Sequence, residues 1–308
     1  MGAPLPTADS WGHSYAQGAD GVRLHYVSQG KGETVLLLHG WPGFWYDWRH
    51  VIPLLGSSCR VVACDFRGFG LSDPAPEDAS DRSSELDLAA DTLALMDHLG
   101  VGSALLVGFD VGGAVAQTIA RRWPERAGAL VLLNPVYPGI GDRRFRPDMQ
   151  AELWYQHFHR MLWSDSLIAA SELTVRVYLD HFHRHWAGRL EALDADELEQ
   201  VVQMYARPGA VRRSLAWYRS RLRDSRPGVP ATAVDLTVRQ PTYVLWGDMD
   251  PLLPVEFSDR LADTFQNLVR LQVLPGVGHF APIEAPGNVA AAVLEMLSRA
   301  APSRTVPQ

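Results

Sequence analysis

Short apolar runs recur along this chain and alternate with stretches of helical spacing. The runs at 34–38, 60–65, 104–109, 129–133, 242–247 and 269–274 are too short for helices and carry few polar positions. Such runs suit strands buried on both faces of a parallel sheet. Between them, 45–55, 84–99, the segment from 111 to about 123, 257–265 and 286–300 carry apolar residues at helical period. Ser83 and Ser84 offer N-caps for the second of these. Two earlier runs, 14–17 and 22–28, alternate as half-buried strands do, and residues 1–12 read as a loose leader. Strand–helix alternation of this kind predicts βαβ units and an α/β domain with a mostly parallel central sheet flanked by helices.

The pattern changes at about Asn134. Residues 147–222 hold no convincing strand and read as helices rich in Trp, Tyr, His and Arg, broken at Pro208-Gly209. A stretch of low regularity, 224–237, leads back to strand pattern. The expectation is a core of 1–134 and 235–308 with a helical cap, 135–234, inserted in it.

Composition narrows the class. With 28 basic and 35 acidic residues in 308 the formal charge is −7, which argues against a nucleic-acid surface, and no basic run suggests a lipid-binding patch. No apolar run reaches the roughly 18 residues a membrane span needs, and the first residues lack the charged and apolar regions of a signal peptide. Two cysteines, Cys59 and Cys64, suggest neither a disulfide framework nor a zinc site. A cytoplasmic protein is expected, and a homodimer is kept as an option.

The chemistry centres on Val107-Gly108-Phe109-Asp110-Val111-Gly112-Gly113. A strand, a sharp turn and a small-residue helix with glycines around one polar residue form the G-x-nucleophile-x-G elbow. Here the nucleophile is Asp110. The alternative for Asp110 is a plain helix N-cap. A carboxylate attacking an ester would give only an anhydride. Against an sp³ carbon it gives an alkyl ester of the enzyme, with a halide or the oxygen of a strained ring as leaving group. His279, after the last strand, follows the order nucleophile, acid, histidine and would activate water against that ester. The orienting acid comes from the loop 247–251, which offers Asp248 and Asp250. The N–H groups of Trp41 and Val111 can form an oxyanion hole. Departure of a ring oxygen needs an acid that stays protonated at neutral pH, and the cap offers Tyr155, Tyr178, Tyr205 and Tyr218. His181 and His185 share a helix face, but without a third ligand in pattern they read as cap surface and no metal is expected.

His39-Gly40-Trp41-Pro42-Gly43-Phe44-Trp45, Asp65-Phe66-Arg67-Gly68-Phe69-Gly70-Leu71-Ser72-Asp73, the Asp110 elbow, Trp246-Gly247-x-x-Asp250 and Gly278-His279-Phe280 together resemble the α/β-hydrolase-fold epoxide hydrolases. Trp154-Tyr155-Gln156-His157-Phe158 and Trp217-Tyr218-Arg219 resemble that family's two tyrosine-bearing cap segments. The resemblance implies an α/β-hydrolase fold, Asp250 as the orienting acid, and Tyr155 and Tyr218 as ring-opening acids. Phe109 stands at the site floor where the family usually has His, and Trp154 and Trp217 are expected around the substrate pocket. It also implies an epoxide and water as reactants, a vicinal diol as product and no cofactor. Val111 stands where related dehalogenases carry a halide-binding Trp or a carboxylate-binding Arg, which counts against a haloalkane or haloacid dehalogenase. A non-catalytic small-molecule binding protein on the same fold is the remaining alternative.

Overall fold

In the computed structural model the described residues are 11–76, 82–224 and 235–300. Most of the expected leader, part of the loop before residue 82 and most of the connector 224–237 lie outside them. Among the described residues eight strands form one sheet: β1 (His13–Gln17), β2 (Arg23–Gln29), β3 (Thr34–Leu38), β4 (Arg60–Cys64), β5 (Ala104–Phe109), β6 (Ala127–Leu133), β7 (Thr242–Gly247) and β8 (Leu268–Leu274). Their spatial order is β1-β2-β4-β3-β5-β6-β7-β8. β2 pairs antiparallel with both β1 and β4, and every other pairing is parallel. The apolar runs explain this. β5 and β7 are buried at every position and β3 at all but Thr34, whereas β8, at the sheet edge, is half-exposed.

The strand order places the site. Chain connections leave β3 toward β4 and leave β5 toward β6, in opposite directions, so a crevice opens at the carboxyl ends of β3 and β5. Leu38 pairs with Gly108, and the segments that follow, His39-Gly40-Trp41 and Phe109-Asp110, therefore emerge side by side. Helix Val111–Arg122 packs directly against this junction. A Cβ at Gly112 would meet the carbonyl oxygen of Leu38 at 2.0 Å, and one at Gly108 would meet that of Gly112 at 2.6 Å. Only glycine lets strand and helix approach so closely.

Two expected helices are broken. The segment 45–55 is a 3₁₀ turn, Trp45–Trp48, followed by a single helical turn, Ile52–Leu55. Pro53 supplies no N–H and cannot continue a helix begun at Trp45. The segment 257–265 likewise divides into a 3₁₀ turn, Val255–Arg260, and a helical turn, Leu261–Thr264. Helix Glu85–His98 forms as expected and is capped by Ser84, whose side chain and that of Asp87 make a capping box.

Between β6 and β7 the described chain is helical, with principal helices Trp154–Arg160, Glu172–Trp186, Ala195–Ala206 and Ala216–Asp224. This insertion closes over the crevice through an aromatic cluster. Trp41 of the core stacks on Tyr155 at 5.7 Å and 10°, and meets His159, Phe182 and Tyr218 edge-on. Beside the cluster, Glu197 of the insertion pairs with Arg49 and His50 of the core.

Candidate active site

Asp110 sits at φ 49° and ψ −112°, a backbone region that non-glycine residues rarely occupy. The turn aims its side chain out of the sheet and across the crevice. Its Oδ1 accepts the backbone N–H of Trp41 at 2.9 Å. Val111 is the first residue of the following helix, so its N–H has no partner in that helix's own ladder. Oδ1 thus lies where the carbonyl oxygen of an ester at Asp110 would lie, and Oδ2 faces His279.

Oδ2 of Asp110 is 3.9 Å from Nε2 of His279. Nδ1 of His279 is bonded at 2.7 Å to Oδ2 of Asp250. That carboxylate is fixed from the other side: Oδ1 accepts the N–H groups of Leu252 and Leu253, and Oδ2 accepts Nδ2 of Asn134 at 2.6 Å. Asp248, the other acid of the loop, instead accepts the N–H of Gly276 as a turn residue. Burial of the imidazole opposes its charging, but the carboxylates of Asp250 and Asp110 outweigh burial and hold its pKa above the ordinary value of 6.5.

Asp110 and Val111 line a cavity of about 720 Å³ that Tyr155, Trp217 and Tyr218 also line. The two tyrosine rings stand 5.9 Å apart at 82°. Both phenols are held protonated, first by burial and then by their acidic neighbours, Asp110 among them. Oη of Tyr155 accepts from Nε2 of Gln156 at 3.2 Å, which leaves its own proton to donate.

Two expected pocket residues lie elsewhere. Phe109 is buried beneath the histidine, 5.1 Å from its ring, and does not line the cavity. Its ring and the Asp110 side chain both lie against Gly40, where a Cβ would meet Phe109 Cε1 at 3.1 Å and Asp110 Cβ at 2.6 Å. Trp154 is 42% exposed and packs on Phe182 on the outer side of its helix, so it does not line the cavity either. His181 and His185 stack on each other, with His185 bonded to Glu152, and the described residues hold no group of three or more His, Cys, Asp or Glu able to bind a metal ion.

Two further residues support the site. Asn134, at φ 41°, accepts the N–H of Gly247 while donating to Asp250, and so ties the end of β6 to the acid loop. Its position directly after an apolar run was the only signal. Glu284 accepts four backbone N–H groups, from Gly278, Phe280, Gly188 and Arg189. It joins the histidine loop to the residues after helix Glu172–Trp186, and the N–H of His279 donates to the carbonyl of Trp186 at 2.8 Å. Contacts across such sequence separations leave no periodic trace.

A mostly parallel sheet with an elbow carboxylate after β5, an acid after β7 and a histidine after β8, all at the crevice, defines the α/β-hydrolase class. The pattern of the α/β hydrolase fold matches residues 33–286. The chain is 32% identical over 285 residues to Epoxide hydrolase 4 of Mus musculus, covering 90% of this chain and 77% of that protein. It is 28% identical over 275 residues to the Soluble epoxide hydrolase of Corynebacterium sp. strain C12, covering 87% and 91%. The solved structure of the epoxide hydrolase CorEH without ligand superposes with a TM-score of 0.77 at 27% identity, over 94% of this chain and 99% of that one. The chain belongs to the epoxide hydrolases of the α/β-hydrolase fold.

Proposed function

We propose that this protein converts an epoxide to a vicinal diol in two steps. In the first, Oδ2 of Asp110 attacks a ring carbon while Tyr155 and Tyr218 donate hydrogen bonds to the epoxide oxygen. The C–O bond breaks, one phenol passes its proton to the departing alkoxide, and Asp110 is left as an alkyl ester. In the second, His279, oriented by Asp250, takes a proton from water as the water attacks the ester carbonyl carbon. The resulting oxyanion on Oδ1 is held by the N–H groups of Trp41 and Val111. Collapse of that intermediate expels the diol oxygen, which takes back the proton held by His279, and the proton of the new Asp110 carboxyl group returns to the phenolate, restoring the carboxylate and both phenols. No cofactor enters the scheme.

One observation carries this reading: two buried, protonated phenols line the same cavity as the elbow carboxylate. A phenol that can pass on its proton suits a departing alkoxide, whereas a halide leaves without a proton. The division into a core of 1–134 and 235–308 and a cap of 135–234 belongs to the same reading, as do a cytoplasmic location and the option of a homodimer. No helix among the described residues is long and apolar enough to cross a membrane.

Single turnover in ¹⁸O-labelled water tests the scheme. The first diol formed should carry unlabelled oxygen from Asp110, with the label appearing in the Asp110 carboxylate. Label in the first-turnover diol would overturn it, and halide release without diol formation would point to dehalogenation.

A further inference from the structure

We propose that the groove between helices Glu172–Trp186 and Ala195–Ala206 is a second binding site, separate from the catalytic cavity, for a small phenol whose hydroxyl donates to Nε2 of His183. The site goes beyond epoxide hydrolysis and does not depend on it.

A cavity of about 390 Å³ lies in this groove, within the size range of small-molecule sites. It shares no lining residue with the cavity at Asp110. Val177, Leu193, Leu198, Val201 and Ile283 give it an apolar wall. Val177 is exposed, which opens the groove to solvent, whereas Val201 and Ile283 are buried. The charged lining is already paired. Glu197 is held by Arg49 and His50, Asp180 by Arg184, and Arg176 by Glu172 and Glu199. Asp194 accepts the N–H groups of Asp196 and Glu197 as a helix cap. A neutral ligand meets this lining without leaving a charge unpaired.

His183 is the exception among these polar groups. It is 5% exposed. Its Nδ1 lies 2.9 Å from the carbonyl oxygen of Leu179, which can only accept, so Nδ1 carries the ring proton. Burial, reinforced by Arg49, pulls its pKa down to about 4. At neutral pH Nε2 is therefore a bare acceptor. No hydrogen bond from a described residue reaches Nε2, and the atom is open to the cavity rather than sealed in protein. A metal ion would need further ligands, and the described residues gather no such group here. What fits is an uncharged donor on an apolar body. A phenol is a stronger donor than an alcohol, and its flat ring suits a groove between two helices.

The same imidazole touches the catalytic apparatus. Its ring lies parallel to that of Phe280, at 5.0 Å and 7°. Phe280 follows His279, and Ile283 precedes Glu284, whose carboxylate holds the histidine loop. A phenol bound to His183 thus rests against the loop that carries His279, and its occupancy bears on turnover rather than on substrate binding.

Calorimetric titration of the full chain with 4-propylphenol and with 4-propylanisole, which lacks the donor, tests the site. The phenol should bind roughly three-fold or more tightly than the ether, the scale of one neutral hydrogen bond. His183→Phe keeps a ring against Phe280 and removes the acceptor, and should bring the two affinities together. Leu198→Trp, which fills the groove, should abolish binding of both. At saturating phenol, kcat for an epoxide should shift by about two-fold or more with KM little changed. The ligand pair and the kinetics judge the wild type even if a variant folds poorly. Equal affinity for phenol and ether in the wild type, or unchanged phenol affinity in the two variants, would overturn the site. Competitive inhibition at an unaltered kcat would place the phenol in the catalytic cavity and overturn it as well. Calorimetry reads the site whether or not epoxides are turned over, so failure of the hydrolase reading would leave it standing.

Discussion

Nε2 of His279 faces Oδ2 of Asp110 across 3.9 Å, beyond hydrogen-bond reach but within the span of one bridging water. In the proposed scheme the histidine acts on the ester and takes no part in forming it. His279→Gln should still be alkylated by an epoxide and should then stall. Intact-protein mass spectrometry should find the chain heavier by the mass of one epoxide, and ester hydrolysis should slow by roughly 10²–10⁴-fold. A variant of unchanged mass would contradict the assigned role.

Proton affinity at that histidine should change within the catalytic cycle. Burial lowers it, and the carboxylates of Asp250 and Asp110 more than compensate. The base is needed neutral, so ester hydrolysis should fall as pH drops through the raised pKa. Esterification removes the charge of Asp110 and with it one of the raising influences. Asp110→Asn mimics that neutral state. Titration of the ring by NMR should give a pKa above 6.5 in the native protein and a lower one in Asp110→Asn, and an equal or higher value in the variant would refute the coupling.

The phenols should act on the first step alone. Tyr155→Phe and Tyr218→Phe should each slow ester formation by about ten-fold or more, and the double variant should lose far more, because either donor can partly serve a shared oxygen. Hydrolysis of a preformed ester should be unaffected. Stopped-flow measurement of the two phases separates these outcomes, and a slowed second phase would mean that the tyrosines position something other than the epoxide.

Glu284 gathers four backbone N–H groups around the histidine loop. In Glu284→Gln the amide nitrogen cannot accept, which leaves buried donors unpaired at a cost of about 2–4 kcal/mol in unfolding free energy. Chemical denaturation reads that cost. The folded fraction should show a lower kcat with little change in KM, because the loop carries the base and not the substrate contacts. Loss of stability with an intact kcat would reduce Glu284 to a scaffold residue.

Glu197, buried between Arg49 and His50, ties the cap to the core. Burial raises its pKa, but its hydrogen bonds to Arg49 and His50 outweigh that and lower it to about 2 from 4.5. A depressed carboxyl stabilises the fold fully above its unfolded pKa and loses that contribution as pH falls toward its folded one. Stability measured by urea unfolding should therefore decline between about pH 4.5 and 2, by on the order of 2–3 kcal/mol for a shift of this size. Glu197→Gln should flatten the decline in that window, and an identical acid limb would assign it to other groups.

Much of this architecture is legible in the sequence because the chemistry rides on local signals. Strands buried on both faces leave apolar runs, and Asp110, Asp250 and His279 each follow such a run within a few residues. The cap is less legible. Helical period fixes which residues share a face but not which face meets the cavity, and Trp154, a bulky aromatic beside Tyr155, turns outward. Phe109 packs against the His279 ring instead of lining the cavity. Asn134 bonds to Gly247 and Asp250, and Glu284 to Gly188 and Arg189, across more than ninety residues, and the sequence carries no pattern for such a contact.

The hydrogen bond from His279 to the carbonyl of Trp186 has a consequence for engineering. Exchanging caps between relatives is an obvious route to new selectivity, since the cap supplies the tyrosines and much of the cavity wall. In this protein the graft would also replace the carbonyl that seats His279 and the Gly188-Arg189 corner that Glu284 grips. Selectivity and turnover are therefore inherited as one unit. A chimera that keeps residues 186–189 of the native chain should separate them.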